Sequence, residues 1–470
     1  MNMTLLRLSA RARRAGPLTA HRRRLWLGVP ALLLLTACGQ TSYTAPDADI
    51  APSFDAAAPA RSQTAPVWWS AFRDSRLDGL IQQGLARNLS IAEAAAVIDE
   101  AEAGARLARA ADLPNVAVQG SASRGNPEGA RVVESSAGSL STSWMIDLFG
   151  GNQAARAAAI AELDAARLSA DAARLSVTSA IALAYIDLRY YQDSIALTRR
   201  SIDSRRQTLA MTRTMLDAGQ AGQLEVLQAE QAVAQAEAGL PTLEVGFDQA
   251  INRLATLTAS RSGALRPNLT RGGGQPHARF RPNVGVPADV IRARPDVRMA
   301  ERRLAAATAR VGVAEAAFYP SVQLSGNITP TNLRQGGNVT SWGFGPQINL
   351  PIFAGGANQA NLKGAEARAA QAHVQWRAAV LNAVEEVENG LVSYNRGSVN
   401  VAAQQRLVDS TSQTLSLSRT SYEAGEVDLF RILDAERDLL SARQALATAN
   451  RTLASDFVRL SIAAAANPGG

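Results

Sequence analysis

A single cysteine, Cys38, occurs in 470 residues, so no intramolecular disulfide can brace this chain. Histidine is almost as scarce. Of the three, His21 lies near the start, while His277 and His373 each stand without a second histidine or cysteine nearby. Metal sites need clustered ligands, and a catalytic nucleophile needs a base beside it. These shortages argue against a metal centre and against an enzyme, and nothing in the chain asks for a cofactor. The glycines at 272–274 lack the Lys-Ser/Thr that completes a phosphate-binding loop, so they read as linker.

Long apolar runs are missing too. The one at Leu25–Leu35 is far short of the ~20 residues a helix needs to cross a bilayer. It follows a basic stretch of Arg7, Arg11, Arg13, Arg14, Arg22, Arg23 and Arg24 that holds no carboxylate, and it leads into Leu35-Thr36-Ala37-Cys38. Basic region, short apolar core and small residues before a cut site describe a secretory signal. The last four residues resemble a lipobox, which makes Cys38 the acylation site and outer-membrane sorting the expected fate, since Gly39 rather than aspartate follows. Removing the signal also removes the charge imbalance. Of the 48 basic residues behind the net charge of +7, seven lie in 1–37, leaving 41 against 41 acidic residues. A basic balance would have pointed to nucleic acid; the balanced chain does not.

What is present is a repeat. Pro114-Asn115-Val116-Ala117-Val118 matches Pro320-Ser321-Val322-Gln323-Leu324 at an offset of 206 residues. Asn152-Gln153-Ala154 matches Asn358-Gln359-Ala360 at the same offset, as do Ala218-Gly219 with Ala424-Gly425, and Leu227, Ala229 and Glu230 with Leu433, Ala435 and Glu436. Each half reads as helix, two strands, a very long helix, a turn and another long helix. The chain then divides into a signal peptide (1–37), an N-terminal anchor segment (38–84), a first repeat (85–261), a linker rich in Gly, Pro and Arg (262–287), a second repeat (288–465) and a tail (466–470).

The first long helix is expected from about Asn152 to Leu216, with apolar residues spaced by seven at Ile181, Leu188, Ile195, Ile202, Leu209 and Leu216. Val387, Tyr394, Val401, Val408, Leu415 and Tyr422 repeat the seam. Sustained heptads mean helices packed along a supercoiled seam. Alanine, arginine, glutamate and glutamine dominate elsewhere, which favours helix and suits walls wet on one side.

The strands alternate. In Ala137–Phe149, Leu140, Trp144, Ile146 and Leu148 face one way, and Ser139, Ser141, Ser143 and Asp147 the other. In Ser341–Pro351 the apolar side holds Trp342, Phe344, Ile348 and Leu350. Shorter partners are expected at Asn115–Arg124 and Ser321–Thr329. A soluble hairpin packed on one face shows the same alternation, but the long helices favour a membrane wall. Four strands cannot close a barrel, and open edges are not tolerated in lipid, so several chains must share one. The fold class is thus mainly α with a transmembrane β-barrel portion, internally duplicated.

The combination of Trp68-Trp69-Ser-Ala-Phe72-Arg-Asp74, Trp144-Met-Ile-Asp147-Leu148-Phe149-Gly150, Arg294-Pro295-Asp296-Val297, Phe318-Tyr319-Pro320-Ser321, Tyr422-Glu-Ala-Gly425 and Leu433-Asp434-Ala435-Glu436 resembles the TolC-like outer-membrane factors. The closest likeness is to the lipoprotein (NodT/OprM-type) branch of resistance-nodulation-division efflux systems. The resemblance implies a homotrimer whose shared twelve-stranded barrel continues into an α-helical periplasmic tunnel. It implies a periplasmic adaptor protein and an inner-membrane pump as partners. It also implies a closing tip near Ala218–Gly222 and Ala424–Asp428, with Tyr422, Asp434 and Arg437 as gate residues and Phe430 where the family often has a constricting leucine. Ser421 departs from the arginine common beside that tyrosine, and Arg419 is the candidate replacement. Asp217, Glu423, Asp428 and Asp434 gather around the two turns, where rings of carboxylates would attract cations and repel anions; helix capping and pairing with arginines are the structural alternative. Arg294-Pro295-Asp296 reads as a helix start. Trp68 and Trp69 read as packing anchors, and Trp144 and Trp342 as interface-belt or barrel-packing residues. Two further functions stay open: a duct for ATP-driven protein export, and a lipid-anchored periplasmic scaffold without a pore.

Overall fold

The structure, a computed structural model, describes residues 43–46, 51–56, 67–126, 132–279, 284, 287–334 and 337–464. The expected signal peptide, Cys38 and the 466–470 tail lie outside the described residues. A short 3-10 turn, Trp68–Phe72, leads through α1 (Ser75–Arg87) to α2 (Leu89–Ala110). Strands β1 (Asn115–Gly125) and β2 (Val133–Ile146) come next, then α3 (Gly151–Asp217) and α4 (Gln223–Leu257). Two short helices, α5 (Ser262–Leu269) and α6 (Pro287–Ala293), precede a second series: α7 (Pro295–Ala316), β3 (Ser321–Leu333), β4 (Gly337–Asn349), α8 (Ala357–Glu423) and α9 (Leu429–Ala463). Adding 206 to both ends of α2, α3 and α4 gives both ends of α7, α8 and α9. The repeat in the sequence is a repeat of structure.

The boundaries have local causes. β2 stops at Ile146, three residues before the expected Phe149, because the Asp147 carboxylate accepts the backbone N–H of Gln153 at 2.9 Å and Gly150 turns the chain at φ +79°. α3 and α8 run 67 residues each, roughly 100 Å at ~1.5 Å per residue. The stretch expected to be plain linker, 262–287, begins with α5, since Leu265 and Leu269 lie four apart and the core covers that face. Beyond it, Arg279 N–H donates to Ala71 O at 2.9 Å.

The main core gathers Trp68, Trp69, Phe72, Leu77 and Ile81 against Ile181, Tyr185 and Leu188 of α3, Ile251 and Leu254 of α4, and Phe457 of α9. Trp68 and Trp69 pack edge to face, their ring centroids 5.5 Å apart, so both are packing anchors. Arg294 is a structural clamp, as its place before Pro295 suggests. Its guanidinium grips Asp296 at 3.0 and 2.7 Å and Glu386 at 2.6 Å, and it donates at 3.0 Å to Ala463 O, one of the orphan carbonyls that end α9.

Three layers share one order. The sheet runs β1-β2-β3-β4, all antiparallel. Next to it, α2 packs on α3, α3 on α7 and α7 on α8. Farther along the long helices, α4 packs on α3, α3 on α9 and α9 on α8. Each layer therefore begins with a first-half element and ends with a second-half element, and each has two free edges. The burial record shows the difference: α3, inside, buries 23 of its 67 residues, whereas α8, at the edge, buries eight of 67. α2, at the other edge, buries none.

Candidate functional site: a channel wall and its tip

The strand register places Val118, Leu140, Ile328 and Trp342 in one row, Trp144, Leu324 and Pro346 in another, and Ile146, Val322 and Ile348 in a third. These rows share one face, because side chains alternate along each strand and register carries the alternation across the sheet. Phe344 stands opposite Gly326 and its ring lies over that glycine, where an added Cβ would meet it at 2.1 Å. The other face carries Gln119, Ser139, Ser141, Ser143, Ser325, Asn327, Thr329 and Gln347, with Thr329 and Ser139 hydrogen-bonded across strands at 3.2 Å. Trp342, Phe344 and Ile348 stay largely exposed in the single chain, at 73%, 64% and 71%. Exposed aromatic and aliphatic groups in contiguous rows are what a lipid-facing wall presents.

Charge ends the apolar band at the hairpin side, where Glu134 pairs with Arg124 and Arg334. At the helical side, Phe149 stacks on Tyr319 at 4.9 Å and the Trp144 indole donates to Asp112 O at 2.9 Å. Trp144 is thus tied to the junction, while Trp342 stands bare on the sheet. Among the described residues no helix is long and apolar enough to cross a membrane.

At the opposite end the two reversals are near copies. Gly219 and Gly425 adopt φ of +72° and +73°. Gly219 N–H donates to Leu216 O and Gln220 N–H to Met215 O, at 2.9 and 2.8 Å. Gly425 N–H donates to Tyr422 O and Glu426 N–H to Ser421 O, again at 2.9 and 2.8 Å. This is the Schellman closure, which needs a left-handed residue just past the helix end. The restarts differ. Glu225 accepts Gly222 N–H at 2.8 Å, whereas the Asp428 carboxylate accepts Arg431 N–H at 3.2 Å. Asp428 therefore caps α9 while remaining exposed, as Asp217 and Glu423 are.

The gate candidates do not form one contact group within a single chain. Tyr422 is buried among Leu415, Leu429, Ile432 and Ala435, and burial pushes its hydroxyl pKa up. Asp434 pairs with Arg437 one turn along α9, and Arg437 also reaches Asp438 at 3.4 Å. Phe430 stands exposed beside them.

Between Asp434 and Arg437 along α9, on the buried side of the helix, lies a cluster that the sequence did not bring together. Glu436, 3% exposed, accepts from Arg419 at 2.8 Å and from the hydroxyls of Ser204 and Thr208 at 2.9 Å each. Arg205 lies close by and donates to Ala232 O at 2.6 Å; burial lowers its guanidinium pKa and Glu436 opposes the shift. The cluster joins α3, α8 and α9 behind the tip. Arg419, raised as a replacement for the arginine missing beside Tyr422, is occupied here instead. In the sequence Glu436 stood as the repeat partner of Glu230 and as the end of the Leu433–Glu436 segment, with no sign of its partners.

With this geometry in place, comparison with known proteins is specific. The model of the outer membrane efflux protein family matches residues 80–260 and 286–466, one stretch in each repeat. Nodulation protein T of Rhizobium leguminosarum bv. viciae is 36% identical over 449 residues, covering 94% of this chain and 93% of that protein. Outer membrane protein OprJ of Pseudomonas aeruginosa is 32% identical over 449 residues, with 88% and 90% covered. The solved outer-membrane channel OprN superposes with a TM-score of 0.84 at 29% identity, over 92% of this chain and 100% of that one.

Proposed function

The chain belongs to the outer membrane efflux protein family, and from that premise we propose that it is the passive exit duct of a three-part efflux pump of the resistance-nodulation-division type. It sits in the outer membrane, catalyses no reaction, and passes drugs or other small molecules delivered by an inner-membrane pump through a periplasmic adaptor. Three copies make the duct, joining four strands each into a twelve-stranded barrel. Cys38 carries an acyl anchor in the outer membrane.

One observation carries this reading: every layer ends in a first-half element on one side and in β4 or α8 on the other. Pairing an edge with the same edge of another copy would point the long helices of the two copies in opposite directions or turn one sheet over. The edges pair head to tail with the next copy, and a head-to-tail interface makes a ring when its rotation closes. Closure satisfies the strand edges that lipid would not tolerate, turns the serine- and glutamine-bearing face of the sheet inward to water, and sets the bare side of α8 against α2 and α4 of a neighbour.

At the tip, Asp434 and Arg437 hold neighbouring copies together, Tyr422 braces α8 against α9 from inside each copy and Phe430 narrows the opening, while Asp217, Glu423 and Asp428 form carboxylate rings that favour cations at the constriction. The adaptor opens this end by contacts stronger in the open state than in the closed one. Full-length protein in planar bilayers tests the assignment: Tyr422→Ala and Asp434→Ala each raise single-channel conductance. Unchanged conductance in both variants removes the gate roles.

A further inference from the structure

Beside the Glu436 cluster, on the side away from the tip, α3, α8 and α9 enclose an open cleft of about 490 Å³. Its base is apolar, formed by the buried Leu415 and Leu439. The Ser204–Arg419–Glu436 contacts close its tip-ward end. Leu197 and Leu440 extend the apolar part of the lining, and the polar part is basic and hydroxylic: Arg200 and Ser201 from α3, Ser416 from α8 and Arg443 from α9. Glu436 is the one carboxylate in the lining, and Arg419 already neutralises it.

Arg200 and Arg443 are left over. Among the described residues neither forms an ion pair or a hydrogen bond. Burial lowers the Arg443 guanidinium pKa, and the charge of Arg200 lowers it further. Asp193, two turns away along α3, feels Arg200's charge without pairing with it. The two guanidiniums of this cleft, Arg443 half-buried and Arg200 exposed, repel each other, and an anion between them would convert that repulsion into two charge-assisted hydrogen-bonded contacts. Guanidinium forks match the paired oxygens of carboxylates and phosphates, and the serine hydroxyls offer further donors at the same walls.

We propose that this cleft binds a small oxyanion carrying two or more negative charges, a phosphate or a di- or tricarboxylate, between Arg200 and Arg443. The site is intact within one chain, so it stands or falls separately from the channel reading.

The test is calorimetric titration of inorganic phosphate and of citrate into the full-length protein in detergent, at ionic strength held constant with sodium chloride. Saturable binding of at least one of the two is expected, with one site per chain. Arg200→Gln and Arg443→Gln should each weaken it about tenfold, the loss of one charge-assisted contact. A second readout guards against misfolded variants: in chloride-only buffer each substitution should raise the thermal unfolding midpoint by removing a like charge, and a given citrate concentration should then raise it by less than in the wild type. Absence of saturable binding by both anions overturns the proposal. Equal affinity in the Arg200→Gln/Arg443→Gln double variant also overturns it.

Discussion

Replacing Arg419 by methionine should destabilise the protein by about 3 kcal/mol, and replacing Glu436 by leucine at the same time should restore most of the loss. The Glu436 side chain is only 2% exposed, and among the described residues Arg419 supplies its one ion pair, at 2.8 Å. Removing one partner of a buried pair costs roughly 3–5 kcal/mol, because the other charge stays buried without compensation. The lower end applies because the Arg419 side chain is 32% exposed and water already screens part of the pair. Two hydroxyl contacts, from Ser204 and Thr208, also remain on Glu436. An energy of 3 kcal/mol is about a 150-fold change in the folding equilibrium, at ~1.4 kcal/mol per tenfold. The reverse variant, Glu436→Leu alone, should cost less, since Arg419 can turn its guanidinium to solvent. Replacing both charges by apolar groups is often neutral, so the double-mutant cycle should show strong coupling. Equilibrium urea unfolding of the detergent-solubilised protein, followed by far-ultraviolet circular dichroism, gives the four free energies. A loss within about 0.5 kcal/mol for Arg419→Met would be an ordinary surface effect, and additive losses in the double variant would show no coupling. Either result refutes the cluster as a tie between α3, α8 and α9.

Other perturbations follow from single contacts. Gly425→Ala should cost about 1–2 kcal/mol, the strain of a left-handed conformation, because φ is +73° there and nothing crowds the added Cβ; thermal unfolding reads it, and Gly219→Ala should behave alike. Asp456 is buried, and burial raises its carboxyl pKa while Arg459 opposes the shift. A folded-state pKa above the unfolded ~3.9 means folding takes up a proton, so stability falls as pH rises from about 4 through the folded pKa. Asp456→Asn should therefore stabilise the protein at pH 7 and flatten that decline, measured as unfolding midpoint against pH. Arg294→Ala should cost about 1–3 kcal/mol, the penalty for leaving the Ala463 carbonyl at the end of α9 without its donor, because Asp296 and Glu386 are 44% and 58% exposed and water takes over their charges; a midpoint near wild type would contradict the clamp.

Much of the fold was legible because it is periodic. The 206-residue offset, the heptads from Ile181 to Leu216 and the alternation around Leu140 and Trp144 are one-dimensional records of helix and strand geometry. Ala-Gly at 218–219 and 424–425 announced the two reversals, since a glycine just past a helix end is a common stop. Local hydrogen bonds were harder to foresee. Asp147 ends β2 early by capping the next helix, and α5 forms inside a stretch whose glycines, prolines and arginines suggested plain linker. The tip was legible in outline only. Tyr422 turned out to be packed inside the subunit, and Asp434 is taken by Arg437, three residues along. The cluster around Glu436 escaped notice because its partners, Arg419 and Ser204, are 17 and 232 residues away in sequence. No spacing rule connects such positions; the packing of three helices does.

The native mass of the full-length protein in mild detergent bears most directly on the account, because every free edge in the chain is explained by a neighbouring copy. Three copies in one particle is the predicted mass. A particle of one copy would leave β1, β4 and the bare side of α8 without partners and would contradict the duct.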